Sequence, residues 1–357
     1  FQSDQFSIVI TDWMMPKVDG IELVQLIRAA EREDYVYVIM LTARAEKHDI
    51  VAGMGAGADD FLAKPVHRDE LQVRLRAGIR ITNLNHELGV ANRRLQGSQE
   101  AASLIQRSFL PTSKLKVTGF DFAWDNESSG SLGGDMFNVV RLDDNHVGLY
   151  VLDVSGQGIP AALLATSLSR VLSPAADPAS ILVERGNDDV STQIRDPATV
   201  AGLLSRRFGG QQGQHFFTLN YGVLNEKTGE FRFTSAGNPP LLHQQYGQSP
   251  VFLDVPGFPI GVSSETPDFQ EQSLVLEQGD RLLIHSDGLT DTMNPEGEVF
   301  GAARLIAWMQ ECHSQGVNAI AESLMDRLRE WRGDAKCTSD VSILVCATNQ
   351  PTSSDRV

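Results

Sequence analysis

Cysteine is scarce in this chain: three residues in 357, at positions 312, 337 and 346. The number is odd and no two form a C-x-x-C pair. That excludes a disulfide framework and a cysteine-based zinc site, and it fits a reducing, cytosolic compartment. Long apolar runs are also missing; none approaches the ~20 residues of a membrane span. The opening Phe1-Gln2-Ser3-Asp4 lacks the basic and apolar regions of a signal peptide. Basic residues are outnumbered, 30 Lys and Arg against 46 Asp and Glu, for a net charge of −16. Such a balance offers no basic face for wrapping nucleic acid or lying on an anionic membrane, although clustered carboxylates attract multivalent cations. There are no internal repeats, and the one biased stretch is a polar tail at 350–357. What remains is ordinary globular composition, 41% hydrophobic and 21% charged. At roughly 150 residues per domain the length corresponds to two or three domains.

Residues 1–78 alternate strand and helix. Phe6–Thr11 is a short apolar run typical of a buried parallel strand. Gly20–Ala30 carries Ile21, Val24, Leu26 and Ile27 at helical spacing. Val36–Thr42 reads as a second buried strand, Ala45–Gly53 as a second helix, and Asp60–Ala63 as a short strand ending at Lys64-Pro65. This order predicts an α/β domain, a doubly wound parallel sheet with helices on both faces. The chain begins without Met directly in front of a strand, so the N-terminal part of this domain is expected to lie ahead of Phe1.

A long helix is predicted from about Asp69 to Leu110, ended by Pro111. Ile81, Leu88, Leu95, Ala102 and Phe109 recur every seven residues, and Leu84, Ala91, Ser98 and Ile105 form a second series offset by three. That is an a/d seam over about four heptads, weakened in its middle by Gly97-Ser98. A dimerising coiled coil over 79–110 is favoured over a single helix packed on a neighbouring domain. From 111 to 349 the pattern turns to antiparallel strands with helices between them, an α+β arrangement. Asp135–Leu142 and His146–Val154 read as a hairpin, Phe216–Asn225 and Glu230–Ser235 as another, and Arg281–His285 and Val341–Ala347 as buried strands. Pro160–Leu172, Gly301–Cys312 and Ala319–Trp331 read as helices, and the polar Ser173–Thr199 as a loop with one short helix.

Asp12, Thr42 and Lys64 stand at the C-terminal ends of the three parallel strands, the edge at which open α/β sheets bind ligands. A carboxylate can accept a phosphoryl group, a nearby hydroxyl can bond the new phosphate, and an ammonium can neutralise it. Each residue alone has a dull explanation as turn former, strand residue or surface charge. With ITDWMMPKVDG, LTAR and AKP in this order and at spacings of 30 and 52 residues, the segment from 6 to 78 resembles the response-regulator receiver domain. The resemblance implies Asp12 as phosphoacceptor, with Thr42 and Lys64 as its switch residues. It also implies a sensor histidine kinase as donor, with Mg²⁺ as cofactor for phosphorylation. The acidic pair that holds that ion in the family would lie before Phe1.

Four further aspartates, Asp135, Asp153, Asp287 and Asp340, each lie at the start or end of a buried strand beside Gly or Ser. Converging carboxylates repel one another unless cations sit among them, and all-oxygen ligation selects Mg²⁺ or Mn²⁺ over zinc. Two such ions can lower the pKa of a shared water and aim it at phosphorus while neutralising the phosphoryl oxygens. Any one of these aspartates is equally well a strand-end or turn residue; four in this order are not. His285 reads as a packed core residue. Gly133-Gly134-Asp135-Met136-Phe137 superficially matches the GGDEF loop of diguanylate cyclases, but Met136 stands where that chemistry needs an acid.

IQRSFLP, GGDMFNVV, DVSGQGIPAAL, FTLNYGVLNEKTGEF, SAGNPPLL, PIGV, GDRLLIHSDGLTD, EGEVFG and SDVSILV resemble the metal-dependent PPM (PP2C-type) serine/threonine phosphatases, most closely the bacterial RsbU and SpoIIE branch. The resemblance implies an antiparallel β-sandwich flanked by helices. It implies two Mn²⁺ or Mg²⁺ ions, with Asp153 bridging both, Asp287 and Asp340 on one, Asp135 on the other, and the Val154 carbonyl as a backbone ligand. It further implies a phosphorylated STAS-type anti-sigma-factor antagonist as substrate. Two positions depart from the family pattern: Gln157 stands where His or Lys is usual, and Asn238 where His is usual. The expectation is therefore a cytoplasmic, homodimeric response regulator with a phosphatase output, with a catalytically weak adaptor of RssB type as the alternative.

Overall fold

The computed structural model describes residues 6–30, 34–43, 51, 53–111, 115–130, 132–173, 180–185, 192–209, 215–263, 267–312 and 315–348. The chain forms two compact units, Phe1–Ser98 and Gln99–Val357.

In the first unit, β1 (Ile8–Asp12), β2 (Tyr37–Thr42) and β3 (Asp60–Ala63) form a parallel sheet in the order β1-β2-β3. Helix α1 (Gly20–Ala29) begins at Asp19, whose side chain accepts a hydrogen bond from the Glu22 amide at 2.8 Å. Alternate residues of β2 feed two cores. Val38 and Met40 pack with Val24 and Ile27 of α1, while Tyr37 and Ile39 pack with Leu62, Leu71 and Leu75. Burial on both faces explains why β2 is apolar throughout rather than alternating. The expected helix over Ala45–Gly53 falls largely on 44–50 and 52, outside the described residues.

Helix α2 (Arg68–Arg107) is continuous over 40 residues and stops three residues short of the expected end, where Phe109 N–H bonds the Gln106 carbonyl. Of its heptad seam, Ile81, Leu84, Leu88, Leu95 and Ile105 are exposed, Leu88 by 60% and Leu95 by 55%. The seam therefore does not serve the core of either unit.

The second unit holds two five-stranded antiparallel sheets. One, in the order β13-β10-β9-β6-β5, is built from β5 (Asp135–Arg141), β6 (His146–Val154), β9 (Phe217–Asn225), β10 (Glu230–Ala236) and β13 (Gln272–Val275). The other, in the order β12-β11-β14-β15-β4, is built from β4 (Phe120–Glu127), β11 (Leu241–Gln244), β12 (Val251–Leu253), β14 (Arg281–His285) and β15 (Val341–Thr348). Phe137, Leu149 and Val151 from the first sheet meet Ile284, Leu344 and Cys346 from the second between the layers. The intervening residues of the first sheet, Tyr150, Leu152 and Leu219, face helices α3 (Ile159–Val171) and α4 (Pro197–Phe208). Those of the second, Leu283, Ile343 and Val345, face α6 (Gly301–Glu311) and α7 (Val317–Arg332). A short helix, α5 (Gly288–Asp291), follows β14. The period-2 alternation of each strand thus fills one core between the sheets and one under each helical layer.

The expectation for Ser173–Thr199 is corrected. The segment contributes a two-stranded ribbon, β7 (Val183–Arg185) with β8 (Thr192–Ile194), and its end starts the twelve-residue helix α4. Pro197 in the first turn suits a helix start, and Val200, Ala201 and Leu204 are its buried stripe. Pro and Asp at that start read in sequence as loop signals. Among the described residues no helix is long and apolar enough to cross a membrane.

Candidate active site

At the receiver edge, parallel register sets Asp12 opposite Leu41 and Thr42 opposite Ala63, so Asp12, Thr42 and Lys64 come to the same end of the sheet. Lys64 Nζ makes an ion pair with Asp12 Oδ2. The bond from Lys64 holds the Asp12 carboxyl below its usual range. Thr42 is buried, and its carbonyl accepts the Lys64 amide at 2.8 Å. The three predicted residues therefore meet, with the ammonium already on the carboxylate.

The second constellation follows from strand parity. Along β5 and β6 the stripe facing the sandwich interior runs Val139, Phe137, Asp135 and Leu149, Val151, Asp153. Asp135 and Asp153 are direct cross-strand partners. On the other sheet the same stripe runs Leu344, Ser342 and then Asp340 beyond the strand end, and Leu282, Ile284 and then Ser286. Apolar packing gives way to carboxylates and hydroxyls at one end of the sandwich.

Ser286 joins the two sheets there. Its hydroxyl donates to Asp135 Oδ2 at 2.7 Å and accepts the Ser342 amide at 2.9 Å. Asp135 Oδ1 is buried without a partner. Burial, then the nearby Asp153, push the Asp135 carboxyl well above its usual range. Burial and the charge of Asp287 raise Asp153 to about 6. Asp287, at the head of α5, is itself raised by burial and by Asp291. Asp340 is held by donors from both sheets: its Oδ1 accepts from Ser129 N–H at 2.7 Å and the Ser129 hydroxyl at 3.0 Å, and its Oδ2 from Gly134 N–H at 2.5 Å. A side chain at 134 would lie 2.4 Å from the Val154 carbonyl, so only glycine lets that carbonyl stand where it does.

Among the described residues, no three His, Cys, Asp or Glu side chains are gathered into a closed ion-binding group. The donor set nonetheless fits hard cations. It is all oxygen, one buried carboxylate oxygen has no donor, and the charge of Asp153 raises Asp135 while that of Asp287 raises Asp153, a repulsion that a divalent ion relieves. His285 is buried, bonded through Nδ1 to the Ser286 carbonyl, and held neutral by burial, as a core histidine.

Sequence reasoning missed Ser286, Ser129 and His215. Ser286 and Ser129 look like ordinary strand-end and turn serines until the strands are paired and the sheets stacked. His215 Nδ1 lies 2.8 Å from the Ser155 carbonyl in the loop after β6, and no local motif marks it. The two departures from the family pattern separate. Gln157 is exposed and bonds the Thr338 carbonyl at 3.3 Å. Asn238 is buried, accepting from the Thr218 hydroxyl at 2.9 Å and donating to the His285 carbonyl at 3.2 Å. Asn238→His is therefore expected to lower the melting temperature, at a cost of about 1–3 kcal/mol for the broken buried bonds. Gln157→His is expected to leave the melting temperature unchanged and alter turnover. Thermal unfolding and steady-state kinetics on both variants check this.

Comparison with known proteins bears on the family and the fold. The Stage II sporulation protein E (SpoIIE) family matches residues 143–349, more than half of the chain, and the response regulator receiver domain matches residues 1–76. The chain belongs to the SpoIIE family and carries a receiver domain at its N-terminus. Phosphoserine phosphatase RsbP of Bacillus subtilis is 27% identical over 169 residues, 46% of this chain and 38% of its own. The phosphate regulon regulator PhoB of Rhizobium meliloti is 42% identical over 73 residues, 20% of this chain and 32% of its own. The chain spans about a third of the length of the curated relatives it matches. Among solved structures, the SiaA-PP2C domain of Pseudomonas aeruginosa aligns with a TM-score of 0.58 at 21% identity, over 72% of this chain and 99% of that one. The RsbU and RsbW domains of a Mycobacterium tuberculosis protein align with a TM-score of 0.53 at 24% identity, over 66% and 62%. Both establish the PP2C-type fold.

Proposed function

We propose that this chain is a two-component response regulator whose output is hydrolysis of phosphoserine or phosphothreonine on a partner protein. The observation that carries the reading is the Asp135–Asp153 cross-strand pair, with Asp135 Oδ1 buried and unpartnered at the open end of the sandwich. An adaptor has no use for buried, mutually repelling carboxylates, which cost stability unless cations neutralise them. Asp135, Asp153, Asp287, Asp340 and the Val154 carbonyl would hold two Mg²⁺ or Mn²⁺ ions. When bound, these supply charge neutralisation at phosphorus and an activated water. The chain's own part is to set these oxygens at fixed positions: Ser286 orients Asp135, while Ser129 and Gly134 orient Asp340.

Asp12 would take its phosphoryl group from a sensor histidine kinase, with Mg²⁺ as cofactor. By resemblance the substrate is a phosphorylated STAS-type anti-sigma-factor antagonist, and the exposed seam of α2 supports a homodimer. The direct test is Mn²⁺-dependent hydrolysis of p-nitrophenyl phosphate, then of a serine-phosphorylated STAS protein. No hydrolysis of either with Mn²⁺ or Mg²⁺ would leave the adaptor as the better reading.

The raised carboxyls add a pH signature. A carboxyl whose folded pKa is raised contributes stability below its unfolded value near 4, and that contribution is lost as pH rises through the folded value, about 6 for Asp153. The metal-free protein is therefore expected to lose melting temperature between pH 4.5 and 7 at this site. Mn²⁺ should restore more at pH 7.5 than at pH 5.5. Equal Mn²⁺ stabilisation at both would contradict the site; differential scanning fluorimetry reads it.

A further inference from the structure

The face of β9 that lies beside Asp153 carries one aromatic ring out of the core. Register pairs Leu149, Val151 and Asp153 of β6 with Gly222, Asn220 and Thr218 of β9. The interior face of β9 therefore runs Gly222, Asn220, Thr218 and then, just past the strand end, Phe216. The pairing continues there. Ser155 N–H donates to the Phe216 carbonyl at 2.8 Å, and Phe216 N–H donates to the Ser155 hydroxyl at 2.9 Å. Phe217, the next residue, takes the other face and is buried in the core under α3 and α4. Among the described residues, Phe216 joins no apolar core of the second unit, and it is 44% exposed.

A single exposed phenylalanine is common and by itself means little. Three features set this one apart. It stands diagonal to Asp153 across a strand pair, a separation of about 7–8 Å that an aromatic side chain spans. Its backbone is held from both sides. Ser155 grips one edge, and on the other Phe217 and Ile260 exchange backbone hydrogen bonds at 2.9 and 2.8 Å. Gly261, at a φ of +98°, follows so closely that a Cβ there would lie 3.3 Å from Phe216 Cα. The third feature is the company it keeps in an acidic chain. Val262 is 62% exposed, Ile159 at the start of α3 is exposed too, and residues 154–159, 215–218 and 258–263 include no Lys or Arg. A protein docked along these segments meets apolar side chains and no cation.

We propose that Phe216 is a specificity-determining residue of the aspartate site, packing against an apolar side chain that flanks the phosphoserine or phosphothreonine of the substrate protein. This deepens the phosphatase reading and rests on it. With the phosphoryl group at Asp153, a chain that advances about 3.3 Å per residue reaches the ring within about two residues. The substrate class is therefore a phosphoprotein with an aliphatic or aromatic residue close to the phosphorylated hydroxyl, in preference to one with polar flanks. The backbone under the ring is already fixed, so little freedom is lost on contact, and burial of the exposed part of the ring is expressed as affinity. Phe216 touches no reacting atom; it sorts substrates and takes no part in the chemistry.

The test uses two serine-phosphorylated peptides of one sequence, with either Leu or Asn two residues to each side of the phosphoserine, and O-phosphoserine as a substrate without flanks. For the wild-type full chain with Mn²⁺, kcat/KM is expected to be about tenfold higher on the Leu peptide than on the Asn peptide, the scale of one such apolar contact. In Phe216→Ala this ratio is expected to fall to near unity. Phe216→Leu, which keeps an apolar group at the position, should retain the preference. Taking the ratio within each variant cancels any general loss of folding or activity. Binding of the dye-labelled peptides to the metal-free protein, read by fluorescence anisotropy, is expected to show the same order in Kd and the same loss of discrimination in Phe216→Ala. A wild-type ratio near unity would overturn the proposal. So would an unchanged ratio in Phe216→Ala, the result expected if the ring instead seats a second copy of this chain. Hydrolysis of all three substrates without preference removes the proposal alone. No hydrolysis of any of them with Mn²⁺ or Mg²⁺ removes the phosphatase reading and the proposal with it.

Discussion

Asp153→Asn is expected to lower phosphatase turnover by about 10²–10³-fold, as loss of a ligand that supports several kcal/mol of transition-state charge stabilisation implies. The fold should persist. Asp153 is raised to about 6 by burial and by Asp287, so its charge is unfavourable in the metal-free protein. Replacing it with a neutral isostere removes that repulsion, and the melting temperature without metal should hold or rise at pH 7.5. The change should also abolish most of the Mn²⁺-dependent gain in melting temperature. The combination is diagnostic: a merely structural aspartate would lose stability and activity together. Near wild-type turnover of Asp153→Asn in Mn²⁺ would remove the two-metal assignment.

Leu88→Asp combined with Leu95→Asp is expected to convert a dimer to a monomer and to abolish control by the receiver. Both side chains are more than half exposed on α2, so the substitutions cost the isolated chain little, whereas in a paired seam they bring like charges together in an apolar interface. Sedimentation should show the loss of dimer, and p-nitrophenyl phosphate hydrolysis should become insensitive to an acyl-phosphate mimic at an unchanged basal rate. A wild-type chain that is monomeric at every concentration yet responds fully to the mimic would sink the paired-helix mechanism.

Much of this was legible in the sequence because it is encoded locally. Short apolar runs bounded by turn signals marked β1, β2, β3, β5, β6, β9, β10, β14 and β15 to within a few residues, since a strand with both faces covered must be apolar over its length. Asp12 and Lys64 sit at strand ends by that same local pattern, and parallel register then obliges them to meet. Short strands such as β12 and β13 carry too few residues for a period to show, and α4 was masked by its Pro and Asp. The four aspartates could be placed at strand ends, but not relative to one another. That Asp135 faces Asp153 follows from hairpin register. That Ser129 bonds Asp340 across 211 residues follows from the pairing of β15 with β4, and that Ser286 bonds Asp135 across 151 residues and Gly134 bonds Asp340 across 206 follows only from stacking one sheet on the other. A sequence period reports which face a residue takes within its own strand or helix. Which groups are brought within hydrogen-bond reach across elements is set by how the buried faces pack, and that is decided by the whole core at once.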